Sequence, residues 1–185
     1  MKKILILSNF YNEIETSRPY LVFKALAKEY EVRLLTTNFD HSTRKRLKVD
    51  DKRIKQIWVP SYNKTFSILR IISHVFFAVA GSLFALCQKY DVLYVLVPPN
   101  SLGYGSTLIA RLRRKKIVID VVDLWPNYGA TKNIFFRVWH NLRESGIRRS
   151  HAVIVITNLY RSVVKHTNLH TLYLSKLETT EIKAN

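Results

Sequence analysis

The feature that most constrains the fold is a run dominated by β-branched residues at 117–122, followed directly by Asp123, Leu124, Trp125 and Pro126. An apolar run of this kind is typical of a strand covered on both faces, as in a parallel α/β sheet. The acidic residue and the Trp-Pro pair come where that strand ends. Open α/β sheets bind their ligands beyond the carboxyl ends of their strands, so the run predicts both a type of sheet and the edge that carries a site.

Strand-like and helix-like segments alternate along the rest of the chain. The predicted strands are 4–7, 31–37, 57–59, 91–97, 117–122 and 152–156, with 172–174 as one more candidate. The predicted helices are 19–30, 66–90, 101–114, 134–149 and 160–166. This alternation predicts an α/β fold with a Rossmann-like, doubly wound, mainly parallel sheet flanked by helices.

A single domain is expected, because 185 residues suit one core and no linker divides the chain. Residues 1–175 are assigned to this domain, and 176–185 are expected to be a tail or the start of a connection to a second domain. The single cysteine, Cys87, excludes an internal disulfide framework and is expected to be a small buried hydrophobe. No secretory signal is recognisable, which favours a cytoplasmic protein.

The formal net charge of +17 is the strongest anomaly of composition. Such a field attracts nucleic acid, anionic lipid headgroups or phosphate-bearing substrates, although a merely solvated basic face also explains it. Nucleic acid is disfavoured because the basic segments 41–55 and 111–116 contain no aromatic residue. No metal site is expected, since the histidines are dispersed and no carboxylate lies at a metal-ligand spacing from them.

The predicted helix 66–90 is unusually apolar. Its apolar core at 75–87 is about thirteen residues long, short of the roughly twenty that span a bilayer. A buried or interfacial helix is therefore favoured over a span. Lys64 and Arg70 at its start, with the basic segment 41–55 nearby in sequence, suggest docking on an anionic membrane surface.

Polar side chains follow several predicted strands. Asn9 follows the first, Asn100 the fourth, Asp123 the fifth and Asn158 the sixth. In a parallel sheet these ends share one edge, and Asp and Asn side chains there suit hydroxyl-rich ligands. Asp123 is also explained as a turn or cap residue, and Trp125 is as readily a packing residue as a platform for a sugar ring.

Known phosphate-binding and hydrolytic motifs are missing. The sequence contains no G-x-G-x-x-G, no P-loop, no G-x-S-x-G and no H-E-x-x-H. Between the first strand and the first helix it has instead a polar loop, in which Glu15 and Arg18 are candidate substrate-binding residues beside Asn9.

Two segments, 91–103 (DVLYVLVPPNSLG) and 117–126 (IVIDVVDLWP), resemble the N-terminal domain of GT-B glycosyltransferases of family 4. The resemblance is closest to the branch that builds capsule, O-antigen and exopolysaccharide repeat units. It covers nearly the whole chain, including the opening at 2–6, Val59-Pro60 and the segment 152–157. Its most specific element is the Asp-Leu-Trp-Pro turn at 123–126.

The resemblance implies the acceptor-binding half of an enzyme that transfers a hexose from a nucleotide-sugar with retention. The implied acceptor is a lipid-linked sugar or a polysaccharide, at the cytoplasmic face of the cell membrane. It implies no cofactor and no metal, and it places Asp123 beside the reacting sugar as a catalytic residue. Asn9, Glu15, Arg18, Asn100, Trp125 and Asn158 are the expected substrate-binding residues.

Two departures from the family qualify this expectation. Many relatives have a Gly-Gly pair after the first strand, where this chain has Asn9-Phe10-Tyr11-Asn12. The family's second, donor-binding domain is also not in this sequence, so the chain alone is expected to be inactive without a C-terminal domain or subunit. The alternative is a non-catalytic Rossmann-like module that docks on a membrane or a partner.

Overall fold

The computed structural model describes residues 1–12, 17–64, 67–124 and 134–173. Its sheet has seven strands: β1 (Lys3–Leu7), β2 (Glu31–Thr37), β3 (Ile54–Ile57), β4 (Val92–Val97), β5 (Lys116–Val121), β6 (Ala152–Val155) and β7 (Leu169–Thr171). The helices are α1 (Arg18–Ala27), α2 (Ile68–Cys87), α3 (Asn100–Leu112), α4 (Ile134–Arg149) and a 3₁₀ turn, Asn158–Ser162. The strand order is β3-β2-β1-β4-β5-β6-β7.

Every pair of neighbouring strands runs parallel. Ile4 of β1 pairs with Val32 of β2 on one side and with Val92 of β4 on the other. The order reverses direction beside β1, since β2 lies on one side of it and β4 on the other. The expectation of a Rossmann-like parallel sheet flanked by helices is confirmed.

Helices cover the two faces of the sheet unequally. One hydrophobic cluster joins the sheet to α2, α3 and α4, through side chains such as Phe77, Leu102 and Ile147. The other cluster joins the opposite face to α1, through Leu21 and Phe23. Parallel strands buried on both faces account for the nearly continuous apolar sequences of β1 and β4.

Helix α3 packs closely between α2 and α4, and glycines permit the approach. A Cβ placed on Gly105 of α3 would lie 2.6 Å from the Ser82 Oγ of α2. A Cβ on Gly146 of α4 would lie 3.1 Å from the backbone of Gly103 and Tyr104 in α3. The three helices therefore form one tightly packed layer.

The third strand is displaced from its predicted position. β3 is Ile54–Ile57, not 57–59, and its register pairs Leu34 with Ile54. The sequence Ile-Lys-Gln-Ile lacks a long apolar run because β3 is an edge strand. Its Gln56 side chain is used locally, accepting a hydrogen bond from the Val49 N–H at 3.0 Å.

β2 and α4 have the predicted bounds. The last strand, Leu169–Thr171, lies three residues before the predicted 172–174, and the predicted helix 160–166 is the short 3₁₀ turn. The prediction that Cys87 is buried is wrong, because the thiol is exposed. Cys87 is the last residue of α2 and lies off the buried face that carries Gly81 and Ala85. The predicted boundary at 175/176 lies outside the described residues.

Candidate functional site

The carboxyl ends of the parallel strands bring four predicted residues to one edge of the sheet. Asn9 lies just beyond β1, Asn100 begins α3 just beyond β4, Asp123 lies beyond β5, and Asn158 begins the 3₁₀ turn after β6. Glu15 and Trp125 lie outside the described residues. We refer to this edge as the C-terminal edge.

Asp123 is exposed on a loop whose backbone is anchored. The guanidinium of Arg143, a residue of α4 only 3% exposed, donates from Nη1 to the Leu124 carbonyl oxygen at 2.9 Å. The same guanidinium donates from Nε to Glu144 at 3.1 Å. Arg143 therefore fixes the segment that presents Asp123 and is a positioning residue that the sequence alone did not reveal.

Asn100 and Asn158 make hydrogen bonds within the fold. The fully buried Asn100 donates from Nδ2 to the Trp139 carbonyl oxygen at 3.1 Å and so joins α3 to α4. The exposed Asn158 accepts at Oδ1 from the Thr171 hydroxyl at 2.8 Å. Their roles in substrate binding stay predictions.

The side chain of Asn9 has an unused hydrogen-bond acceptor. It is 4% exposed, and its Oδ1 has no hydrogen-bond partner among the described residues. Its backbone carbonyl is occupied, because the Thr37 hydroxyl donates to it at 3.1 Å. A buried amide oxygen without a donor is costly, so a ligand hydroxyl or a water molecule would stabilise it.

Arg18 lies in a buried ion pair. Its Nε donates to both carboxylate oxygens of Asp120, at 2.8 and 3.1 Å, and its Nη1 donates to the Leu172 carbonyl oxygen at 2.8 Å. The Tyr94 hydroxyl also donates to Asp120, at 2.7 Å. Burial raises the pKa of Asp120, while the hydrogen bonds from Arg18 and Tyr94 oppose that shift. Substrate binding by Arg18 stays a prediction.

A second group of side chains at the C-terminal edge was missed from sequence. We call it the histidine cluster; it consists of Phe10, His41, Arg44, Tyr62, Arg70 and His74. The Phe10 ring lies 5.1 Å from the His41 ring and 5.4 Å from the His74 ring, between centroids. The residues come from loops after β1, β2 and β3 and from the first turns of α2, so no local motif announces them.

Both histidines of the cluster are held in the neutral form. Burial, followed by the charges of Arg70 and Arg44, lowers the pKa of His41 to about 4. Burial, followed by the charges of Arg70 and His41, lowers the pKa of His74 to about 3. Desolvation disfavours a charged imidazole, and nearby guanidinium groups disfavour it further.

The contacts of His41 also fix its tautomer. Its Nδ1 lies 2.8 Å from the Tyr62 hydroxyl and 3.1 Å from the Arg44 Nη1. A guanidinium can only donate, so Nδ1 accepts and the ring proton is on Nε2. His74 is 7% exposed, and its Nε2 has no hydrogen-bond partner among the described residues.

Electrostatics connect Asp123 to this cluster. Burial lowers the pKa of Arg70, whereas the charges of Tyr62 and Asp123 act in the opposite direction. Burial raises the pKa of Tyr160, and the charge of Asp123 adds to that shift. Asp123 therefore lies within electrostatic reach of both Arg70 and Tyr160. The edge combines a carboxylate, guanidinium donors and aromatic rings, which suits a hydroxyl-rich or phosphate-bearing ligand.

The molecule offers few competing sites among its described residues. No group of three or more metal-binding side chains occurs within the described part of the chain. A depression of about 670 Å³ lies at the opposite end of the sheet, lined by residues such as Glu31, Arg33 and Gln88. It contains none of the predicted site residues.

The sequence matches no protein-family model and no curated protein. Solved structures do share its fold. UDP-N-acetylglucosamine 2-epimerase from Rickettsia bellii matches with a TM-score of 0.56 and 12% identity, over 100% of this chain and 48% of its own. Arabidopsis thaliana UGT89C1 complexed with quercetin matches with a TM-score of 0.58 and 12% identity, over 92% of this chain and 50% of its own.

A third structure shows the same half-length match. UDP-GlcNAc 2-epimerase from Methanocaldococcus jannaschii matches with a TM-score of 0.53 and 14% identity, over 99% of this chain and 49% of its own. The chain thus spans about half the length of the structures it matches. At this level of identity the likeness concerns the fold: an α/β Rossmann-like domain that corresponds to one half of GT-B structures.

Proposed function

We propose that this chain is the acceptor-binding half of a retaining glycosyltransferase, which moves a hexose from a nucleotide-sugar to a lipid-linked or polysaccharide acceptor. The observation that carries the proposal is the match of 97–100% of the chain to about half of structures that are named for UDP-sugars or contain one. The Asp-Leu-Trp-Pro sequence at 123–126 supports the family 4 assignment and the role in capsule, O-antigen or exopolysaccharide synthesis.

Asp123 is the proposed catalytic residue. It is an exposed carboxylate two residues beyond the interior strand β5, and Arg143 anchors the adjoining backbone at Leu124. A carboxylate there can accept hydrogen bonds from sugar hydroxyls and stabilise positive charge that develops on the reacting sugar. Asn9 offers an unpartnered amide oxygen to the same ligand.

The histidine cluster is the proposed second wall of the acceptor site. Its aromatic rings give flat apolar surfaces, and its guanidinium groups give donors for acceptor oxygens. The donor nucleotide-sugar would be held mainly by a C-terminal domain or a separate subunit, as the half-length match suggests. The proposed transferase acts on the cytoplasmic side of the membrane and needs no cofactor.

Binding of acceptor mimics tests the proposal directly. We expect saturation-transfer NMR with a panel of p-nitrophenyl glycosides to detect contact between the chain and the sugar-ring protons. Asp123→Ala should weaken that binding about ten-fold or more, the usual effect of losing a hydrogen bond to a charged group. Asp50→Ala is the matched control, because Asp50 is an exposed carboxylate in a surface ion pair with Lys48.

The alternative function, a non-catalytic docking module, makes a different prediction. Such a module would bind no glycoside, and Asp123→Ala would behave as Asp50→Ala does. Equal glycoside binding by both variants and the wild type would likewise refute the role of Asp123. The favoured proposal requires that Asp123→Ala weakens glycoside binding and that Asp50→Ala does not.

A further inference from the structure

Helix α2 carries a continuous apolar face that the fold does not cover. Its members, 37% to 76% exposed, recur at intervals of three or four residues and are Ile68, Leu69, Ile72, Val75, Phe76, Val79, Leu83 and Leu86. We call this face the apolar stripe. Contiguous exposed apolar surface of this kind marks an interaction site.

The apolar stripe runs along the surface of the folded domain, and α2 does not stand free as a membrane-spanning helix would. By length and composition α2 could span a membrane, and it is the one such helix among the described residues. Its opposite face, however, is packed on the sheet: Phe77 and Ala85 are fully buried, and a Cβ on Gly81 would contact Leu102 of α3 at 3.4 Å. The helix can therefore meet a bilayer only side-on, with the fold intact.

An aromatic residue and two cations border the stripe. Trp58, which follows β3, is 57% exposed, and its ring lies edge-on to Phe76 with centroids 6.2 Å apart. The guanidinium carbon of Arg46 lies 5.3 Å from the Trp58 ring centroid. The Lys55 ammonium lies 5.2 Å from the ring of Phe84 in α2. Tryptophan flanked by cations is the residue pattern of membrane interfaces.

The charge around the stripe has one sign. From Lys52 to Tyr90 the sequence contains no aspartate or glutamate. A second copy of this chain would bring the same positive field, with +17 charges in total, and would be repelled. An anionic lipid surface complements both properties, since it attracts the cations and accepts the apolar side chains.

We propose that the apolar stripe of α2, together with Trp58 and its flanking cations, docks this protein side-on onto an anionic phospholipid bilayer. The proposal does not depend on sugar transfer, because it rests on α2 and not on Asp123. It also orients the molecule: Ile68 and Leu69, at one end of the stripe, adjoin Arg70 of the histidine cluster. Docking therefore brings the C-terminal edge close to the lipid headgroups.

Vesicle flotation tests the proposal with a matched pair of variants. Val79→Ser/Leu83→Gln removes two side chains of the stripe, which are 55% and 56% exposed. Val138→Ser/Leu159→Gln removes the same residue types elsewhere, where they are 52% and 78% exposed. Vesicles of phosphatidylcholine are compared with vesicles of phosphatidylcholine and phosphatidylglycerol, and circular dichroism verifies that each variant is folded.

We expect the wild type and the Val138/Leu159 variant to float with phosphatidylglycerol vesicles and to remain unbound with phosphatidylcholine alone. The Val79/Leu83 variant should bind about ten-fold less tightly, because two apolar side chains no longer enter the lipid. Wild-type tryptophan emission should shift to the blue on binding, and Trp58→Phe should abolish most of that shift.

Three outcomes would overturn the proposal. One is absence of wild-type binding to the anionic vesicles. Another is equal binding by the Val79/Leu83 variant, which would mean that charge alone attracts the protein. The last is concentration-dependent dimerisation that the Val79/Leu83 variant abolishes without any vesicle binding by the wild type, which would assign the stripe to a second copy.

Discussion

The buried guanidinium of Arg18 donates hydrogen bonds to three oxygen atoms of the fold. Arg18 is 6% exposed and bonds both carboxylate oxygens of Asp120 and the carbonyl of Leu172. Removing one member of a buried ion pair leaves the other charge without compensation, which costs far more than losing a surface pair.

We therefore expect Asp120→Asn to lower the free energy of unfolding by about 3–5 kcal/mol, the cost of breaking a buried pair. Asp51→Asn breaks the more exposed pair between Asp51 and Arg53, whose N–O distance is 2.6 Å, and should cost about 1 kcal/mol or less. Urea unfolding of both variants gives the comparison. Similar losses in the two would contradict a special role for the buried pair.

The neutral histidines of the histidine cluster predict how stability depends on pH. The folded pKa values, about 4 for His41 and about 3 for His74, lie below the ordinary value of 6.5. The unfolded chain then binds more protons, so the free energy of unfolding falls as the pH drops from about 6.5 towards 4. Each such histidine contributes a slope of up to about 1.4 kcal/mol per pH unit.

His74→Gln should flatten this slope between pH 6.5 and 4, because glutamine does not titrate. His41→Gln should flatten it in the same way, because burial and the charges of Arg70 and Arg44 lower the pKa of His41 to about 4. Urea denaturation at a series of pH values measures the slope for each variant. Parallel curves for His74→Gln and the wild type would show that His74 is charged in the folded state.

Some residues of the candidate site could be placed from the sequence, and others could not. Asn9, Asn100, Asp123 and Asn158 follow strands, so their shared edge could be predicted from the parallel topology alone. The histidine cluster could not, because its members are spread from 10 to 74 and meet only through the order of β1, β2 and β3. The partner of Arg18 is 102 residues away and was equally hidden.

At the scale of elements, apolar periodicity predicted most of the structure. Central strands such as β2 and β4 are covered on both faces, so their sequences carry a strong apolar signal. The apolar signal of β3 is weak. Because β3 is a partly solvated edge strand, polar residues such as Lys55 and Gln56 can occupy it. The last strand was misplaced for a similar reason, since His170 interrupts its apolar residues.

The packing of α4 on α3 gives a prediction at this scale. Because a Cβ on Gly146 would press on the α3 backbone at 3.1 Å, Gly146→Val should destabilise the fold by about 1–3 kcal/mol through overpacking. Arg148→Val, at an exposed position of the same helix, introduces the same side chain without that contact. Thermal unfolding of the two variants should separate them, and equal melting temperatures would contradict the close packing.

At the scale of the whole molecule, the half-length match to solved structures leads to a prediction about activity. The chain matches about half the length of those structures, and we proposed that a C-terminal domain or a separate subunit holds most of the donor. We expect the purified chain to transfer no radiolabelled sugar from UDP-hexoses to a lipid extract, while still binding glycosides. Transfer by the chain without a partner would show that one half suffices for the reaction.

The hydrogen bond from Arg18 to the Leu172 carbonyl has a consequence for synthesis in the cell. The first helix cannot complete its buried contacts until the last strand has been made, 154 residues later along the chain. At typical rates of translation, about 5–20 residues per second, roughly 3–10 s separate the appearance of Asp120 from that of Leu172. During this interval the nascent chain has a paired but incompletely enclosed guanidinium, so α1 and β5 complete their shared buried contacts only after β7 has been made.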